Sequence, residues 1–186
     1  LIHEACCRND GIDNIQDADA AGMAFFAYVP PYGFKNDSPV FTDNPVPFLC
    51  VNDTSTFLNT AIDPDGDALV FSFLAPLDGN HASGAGGGSN QTGSGGPGPG
   101  GTNLNWYPNP TYSLPIEEVT YNTNFSYQQP FGPGGYYYIS ASNGLTKYKS
   151  SSLGKFVVAI MIKEYRNGQL IGISTREVQL NVLPCP

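Results

Sequence analysis

Apolar runs along the chain are short, and clusters of Gly, Pro, Asn and Asp separate them. No window carries apolar residues at helical spacing for more than a turn. Residues 12–21 (IDNIQDADAA) come nearest and predict at most one short helical turn. Strands are predicted at 23–29 (MAFFAYV, ended by Pro30 and Pro31), 40–41, 48–51, 54–61 and 68–74 (ALVFSFL). Further strands are expected at 104–107, 117–121 and 135–140 (GYYYIS), the last followed by the turn Ser142-Asn143-Gly144. The firmest local signal is a hairpin, 155–166 (KFVVAIMIKEYR) against 169–183 (QLIGISTREVQLNVL), joined by Asn167-Gly168. Asn-Gly suits a two-residue turn in which both residues need positive φ. The second arm alternates between two faces. The first arm is almost continuously apolar, as a central strand covered on both faces would be. Residues 79–101 are rich in Gly, Ser and Asn and read as a surface insert that cannot build a core. Short strands, turn punctuation and no helix predict an all-β immunoglobulin-like sandwich.

Composition agrees with that class. Tyr, Phe, Val and Ile supply much of the 40% hydrophobic content, and Gly (22) and Pro (16) are abundant. These residues favour strands and turns. Net charge is −8, and eight Lys and Arg leave no basic track for nucleic acid. The longest apolar run, 156–162, fits a strand and falls well short of the roughly 20 residues of a membrane-spanning helix. The opening LIHEACCRND lacks a basic n-region and a signal-peptide core. It reads as the middle of a strand, so the chain is expected to be a fragment or processed product with an upstream part missing.

Four cysteines, Cys6, Cys7, Cys50 and Cys185, predict two disulfides and an oxidising compartment. Their spacing matches no zinc pattern. Three pairings exist. Because a vicinal bridge is strained, Cys6 and Cys7 are each expected to reach one of Cys50 and Cys185. Catalytic motifs are missing: there is no G-x-S-x-G elbow and no H-E-x-x-H. Glu117 and Glu118 are adjacent and would point to opposite faces of a strand. The expected function is non-enzymatic.

Asp63, Asp65 and Asp67 stand at alternate positions in DPDGD, directly before an apolar strand. Alternate carboxylates on a turn can supply several of the six to eight oxygens that Ca²⁺ takes. The same sequence also makes a good solvated turn. An EF-hand is excluded, since Ala68 replaces the loop's glycine and Leu74 its bidentate glutamate. Oxygens from a second loop would have to complete a site, and KNDSP (35–39) is available.

NDSPVF (36–41) resembles the domain-junction signature of cadherin-like repeats, and DPDGD resembles the calcium motif of such repeats. CCRN (6–9), NDSPVF, FLCVN (48–52), DPDGDALVFSF (63–73), EYRNGQLIG (164–172) and VQLNVLPC (178–185) follow in order. Together they resemble the PKD- and cadherin-like domains of large bacterial cell-surface proteins linked to gliding motility, adhesion and type IX secretion. The resemblance covers most of the chain and breaks at the insert 79–101. It implies a cadherin-like sandwich over 36–186, preceded by an N-terminal β segment, 1–35, from the tail of an earlier domain. It also implies an extracellular, cell-surface location and an adhesive or structural role without a reaction. By the same resemblance Asn36, Asp37, Asp63, Asp65 and Asp67 would hold Ca²⁺, with Glu4, Glu164 and Glu177 as weaker candidates. A cadherin's Asp-Arg-Glu stretch has no counterpart here.

The role this implies is an adhesin repeat or the subunit of an extracellular filament. Its partners would be copies of itself or neighbouring domains, met through a strand in 1–5 or 23–29 added to a neighbour's sheet edge. The alternative is a carbohydrate-binding module. Trp106, Tyr107, Tyr112 and Tyr137 belong to an aromatic-rich middle third that could stack on surface glycans, though such residues also serve as core.

Overall fold

A computed structural model describes residues 1–5, 7–30, 32–79 and 116–185. Among these the chain is all-β, with eleven strands and no helix. β1 (Ile2–Ala5) pairs antiparallel with β2 (Met23–Phe26). β3 (Val40–Phe41) pairs with β6 (Ala61–Ile62). β4 (Phe48–Cys50), β7 (Ala68–Leu74), β10 (Gly154–Arg166) and β11 (Gln169–Leu183) form a four-stranded sheet in the order β4-β11-β10-β7. β5 (Ser55–Leu58), β8 (Tyr136–Ile139) and β9 (Leu145–Lys149) form a three-stranded sheet in the order β5-β9-β8.

The two larger sheets enclose the main core in the manner of a sandwich. Leu49, Phe156, Val158, Val178, Leu180 and Val182 come from the four-stranded sheet, and Tyr148 from the other. Phe131 fills the space between, with ring centroids 5.7 Å from Tyr148 and 5.4 Å from Phe156. Burial pushes the Tyr148 hydroxyl up to about 12.

The Asn167-Gly168 hairpin forms as its sequence predicts, with φ of 52° and 78° at the two turn residues. β10 is covered on both faces. Val157, on the side away from the main core, packs with Ile12, Ile15, Ala18 and Val119. Asn14 is fully buried there, and its amide bonds both Val157 N–H and Val157 C=O at 3.0 and 2.8 Å. The side chain thereby satisfies strand backbone that no neighbouring strand reaches. Within 12–21 a single turn closes, Ala21 N–H donating to Asp17 C=O.

Arg8 ties the N-terminal residues to β11. Its buried guanidinium makes two bonds to the Glu177 carboxylate, at 3.1 and 2.8 Å, and one to Leu77 C=O. Tyr28 bridges to Ile173 on the same strand.

The cysteine pairing corrects the expectation. Cys50 is bonded to Cys185, with Cα atoms 5.4 Å apart. The parallel pairing of β4 with the end of β11 sets Cys50 opposite Leu183, which brings the two thiols together. Cys50 and Cys185 are therefore used by each other and not by the N-terminal segment; Cys7 is disulfide-bonded, and Cys6 lies outside the described residues. The strand expected at 117–121 is reduced to isolated bridges, Leu77 with Glu118 and Ile15 with Tyr121. The insert, apart from Gly79, and the strand expected at 104–107 lie outside the described residues.

Candidate metal centre

Asp63 leaves β6 and organises the turn. Its Oδ1 accepts the backbone N–H of Asp65 (2.9 Å) and of Asp67 (3.0 Å), and its C=O accepts Gly66 N–H. Gly66 has φ of +80°, which the D-P-D-G-D sequence accommodates without strain. These bonds fold the turn around the Asp63 carboxylate. Asp63 Oδ2 is left buried with no hydrogen-bond partner.

Glu164 comes to the same place from β10. It shares a strand face with Ile160 and Ile162, at 1% exposure against 0% for both isoleucines. A carboxylate thus stands where the strand's inward phase calls for an apolar residue. Opposite it on β11 is Gly172. A Cβ on Gly172 would lie 2.2 Å from Glu164 Oε2, so glycine makes the room this carboxylate uses. Neither Glu164 oxygen has a hydrogen-bond partner of normal geometry. Carboxylate oxygens of Asp63, Asp67 and Glu164 lie within 4.8 Å of one another. Burial raises the Glu164 pKa; the nearby Asn36 amide pulls against that rise, and Asp63 and Asp67 add to it.

Arg166, two residues along β10, closes the outer side. Its guanidinium grips both Asp67 oxygens, from Nε at 2.7 Å and from Nη2, and reaches Asp65 Oδ2 at 3.1 Å. It also bonds Asn36 Oδ1 (3.0 Å) and Lys35 C=O (2.8 Å), and lies 5.2 Å from the Phe34 ring centroid. The guanidinium holds Asp67 below the ordinary carboxylate range, and Asp67 in turn raises Arg166. Asp37 joins through its backbone N–H, which donates to Asp65 Oδ2 at 2.8 Å.

The five residues expected to bind an ion are therefore brought together, in unequal roles. Asp63 and Asp67 line the buried cluster, Asp65 and Asn36 meet Arg166, and the Asp37 side chain is exposed. Glu164, a weaker candidate from sequence, is the most buried member. Glu177 is committed to Arg8, and Glu4 sits on β1 opposite Ala24; neither belongs to the cluster. Arg166 carries no motif of its own in the sequence; its only signal is its alternation with Glu164 at the end of an apolar strand.

Three buried carboxylate oxygens without donors are costly to keep. One guanidinium, paired with Asp65 and Asp67, stands against four carboxylates and reaches neither Asp63 Oδ2 nor the Glu164 oxygens. The donor set is all oxygen, which suits a hard divalent cation. The cluster can hold a metal ion.

The aromatic expectation fares differently. Tyr137 faces inward, its ring centroid 4.2 Å from that of Phe73, and burial pushes its hydroxyl up to about 12. Trp106, Tyr107 and Tyr112 lie outside the described residues. No helix among the described residues is long and apolar enough to cross a membrane. Comparison with family models, curated proteins and solved structures finds no match.

Proposed function

We propose that the chain is a non-enzymatic extracellular module, an adhesin repeat or filament subunit of immunoglobulin- or cadherin-like type, whose acidic cluster binds Ca²⁺. The ion stiffens the join between residues 1–35 and the sandwich. One observation carries the metal reading: Asp63 Oδ2 and both Glu164 oxygens are buried, unsatisfied and turned into one cluster. Ca²⁺ fits better than Mg²⁺, because ligands from a turn and a strand give an irregular set and Mg²⁺ demands near-ideal octahedral geometry. The Cys50–Cys185 bond is compatible with an oxidising compartment. The resemblance to bacterial surface domains supplies the adhesive or structural role.

The test is thermal unfolding during Ca²⁺ titration, with Mg²⁺ as control. Extracellular modules bind with Kd of about 10⁻⁴–10⁻³ M. A saturable rise in Tm over that range is expected. An unchanged Tm at millimolar Ca²⁺ sinks the metal reading.

A further inference from the structure

The three-stranded sheet β5-β9-β8 has an inner face in the core and an outer face that the described residues leave open. Alternation puts Phe57, Tyr137, Thr146 and Tyr148 inside. It puts Tyr136 and Tyr138 outside, at 49% and 46% exposure, beside Lys147 and Lys149. Register makes these four into two cross-strand pairs, Tyr136 with Lys149 and Tyr138 with Lys147. Thr56 lies next to Lys147 on the far strand, and Leu58 extends the face with 50% exposure.

The charge of this face is opposite to that of the molecule. The chain has 16 acidic residues and a net charge of −8, yet the three strands (STFL, YYYI, LTKYK) carry no Asp or Glu. Most of the other basic side chains are engaged: Arg8 with Glu177, Arg166 with Asp65 and Asp67, Arg176 with Asp43 C=O, and Lys155 with Asp10 C=O. Lys147 and Lys149 have no ion pair among the described residues. Two rings on one strand, spaced by one strand repeat of about 7 Å, fit a chain of rings lying along that strand. Tyr offers an apolar face with a polar tip at low conformational cost.

We infer that this face binds an acidic polysaccharide of uronate type, with Tyr136 and Tyr138 stacking on sugar rings and Lys147 and Lys149 meeting their carboxylates. The binding does not depend on the metal site. A polyphosphate ligand is disfavoured, because its dense charge would meet a protein of net −8 through only two lysines.

The experiment is isothermal titration of the whole chain, with excess EDTA, against a polyuronate, a neutral glucan and single-stranded DNA. Binding to the polyuronate alone is expected, weakening as salt rises. K147Q/K149Q should weaken it about tenfold or more and flatten its salt dependence. Y136A/Y138A should weaken it comparably and leave the salt dependence in place. Both pairs are on the surface, and an unchanged Tm verifies folding. No polyuronate binding, equal binding to the neutral glucan, tighter binding to the DNA, or affinity unaltered in both variants would each overturn the inference. EDTA excludes bridging by Ca²⁺, so the outcome is independent of the calcium reading.

Discussion

Replacing Glu164 by Gln separates a metal site from a plain acidic turn by the sign of two effects. Without metal, Glu164 is a buried carboxyl with no hydrogen-bond partner, facing Asp63 and Asp67. Leaving a buried polar group unsatisfied costs about 1–3 kcal/mol, and more when it is charged. Gln keeps the shape, removes the charge and brings N–H donors within the cluster that holds Asp63 Oδ2. The metal-free E164Q chain should therefore be more stable than the parent at neutral pH by about 1–3 kcal/mol. For a chain of this length each kcal/mol raises Tm by about 2–4 °C. If the cluster binds Ca²⁺ as proposed, the ranking reverses. At about fifty times its Kd, Ca²⁺ would stabilise the parent by about 2.3 kcal/mol through mass action. E164Q should lose most of that gain with its ionised ligand. Paired melts with EDTA and with Ca²⁺, followed by circular dichroism, read both effects. A variant that is less stable than the parent in EDTA yet keeps the full Ca²⁺ shift would refute the reasoning, since Glu164 would then be a structural group.

Four further outcomes follow from the same contacts. Because its folded pKa is raised, Glu164 makes the native metal-free chain hold a proton that the unfolded chain has released. Stability in EDTA should thus fall as pH rises from the ordinary carboxylate range through the raised value, and E164Q should remove that slope from the pH–Tm profile. Asp67 acts oppositely: its pKa is lowered, chiefly by Arg166, so its contribution is lost as pH falls below the ordinary range, and the acid limb of the same profile should shift in D67N. Gly172→Ala drives a methyl into Glu164 and should destabilise the chain by about 1–3 kcal/mol, as overpacking does; G172A/E164A should recover much of this in denaturant melts, which additive effects would not permit. Reducing Cys50–Cys185, which spans 135 residues, should cost about 4–5 kcal/mol in the chain-entropy model, measured as a lower denaturant midpoint under reducing conditions.

The hairpin was legible because Asn167-Gly168 encodes its own conformation, and β10 because continuous apolarity has one structural meaning in a β protein. β9 was not. LTKYK has two lysines in five residues, and only its partner strands reveal that Thr146 and Tyr148 point inward. Tyr137 could be read from sequence as glycan platform or as core, because three consecutive tyrosines look alike there; alternation sends the middle one inward. The disulfide depended on the parallel pairing of β4 with β11, a contact between distant segments with no local signature. For the acidic cluster, the aspartates announced themselves through their spacing. Glu164 did not, since its significance comes from burial and from Gly172 across the hairpin.

Arg166 gives the cluster a direction. It reaches outward to Lys35 C=O and Asn36, and inward to Asp65 and Asp67. A second arginine, Arg176 on β11, bonds Asp43 C=O and stacks 3.5 Å from the Phe41 ring centroid. Residues 35–43 are thus held to the hairpin by two guanidinium groups and to the turn by Asp37 N–H. An ion at Asp63, Asp67 and Glu164 would share Asp67 with Arg166, so two cations would compete for one carboxylate. Removing the guanidinium in R166Q should tighten Ca²⁺ binding several-fold while loosening residues 35–37. Titration calorimetry reads the first effect and amide exchange the second. If the two move together instead, with weaker binding and looser residues 35–37, Arg166 positions the site rather than competing for it. Either coupling ties ion binding to residues 35–37, because the group that balances the cluster's charge also bonds Lys35 C=O and Asn36.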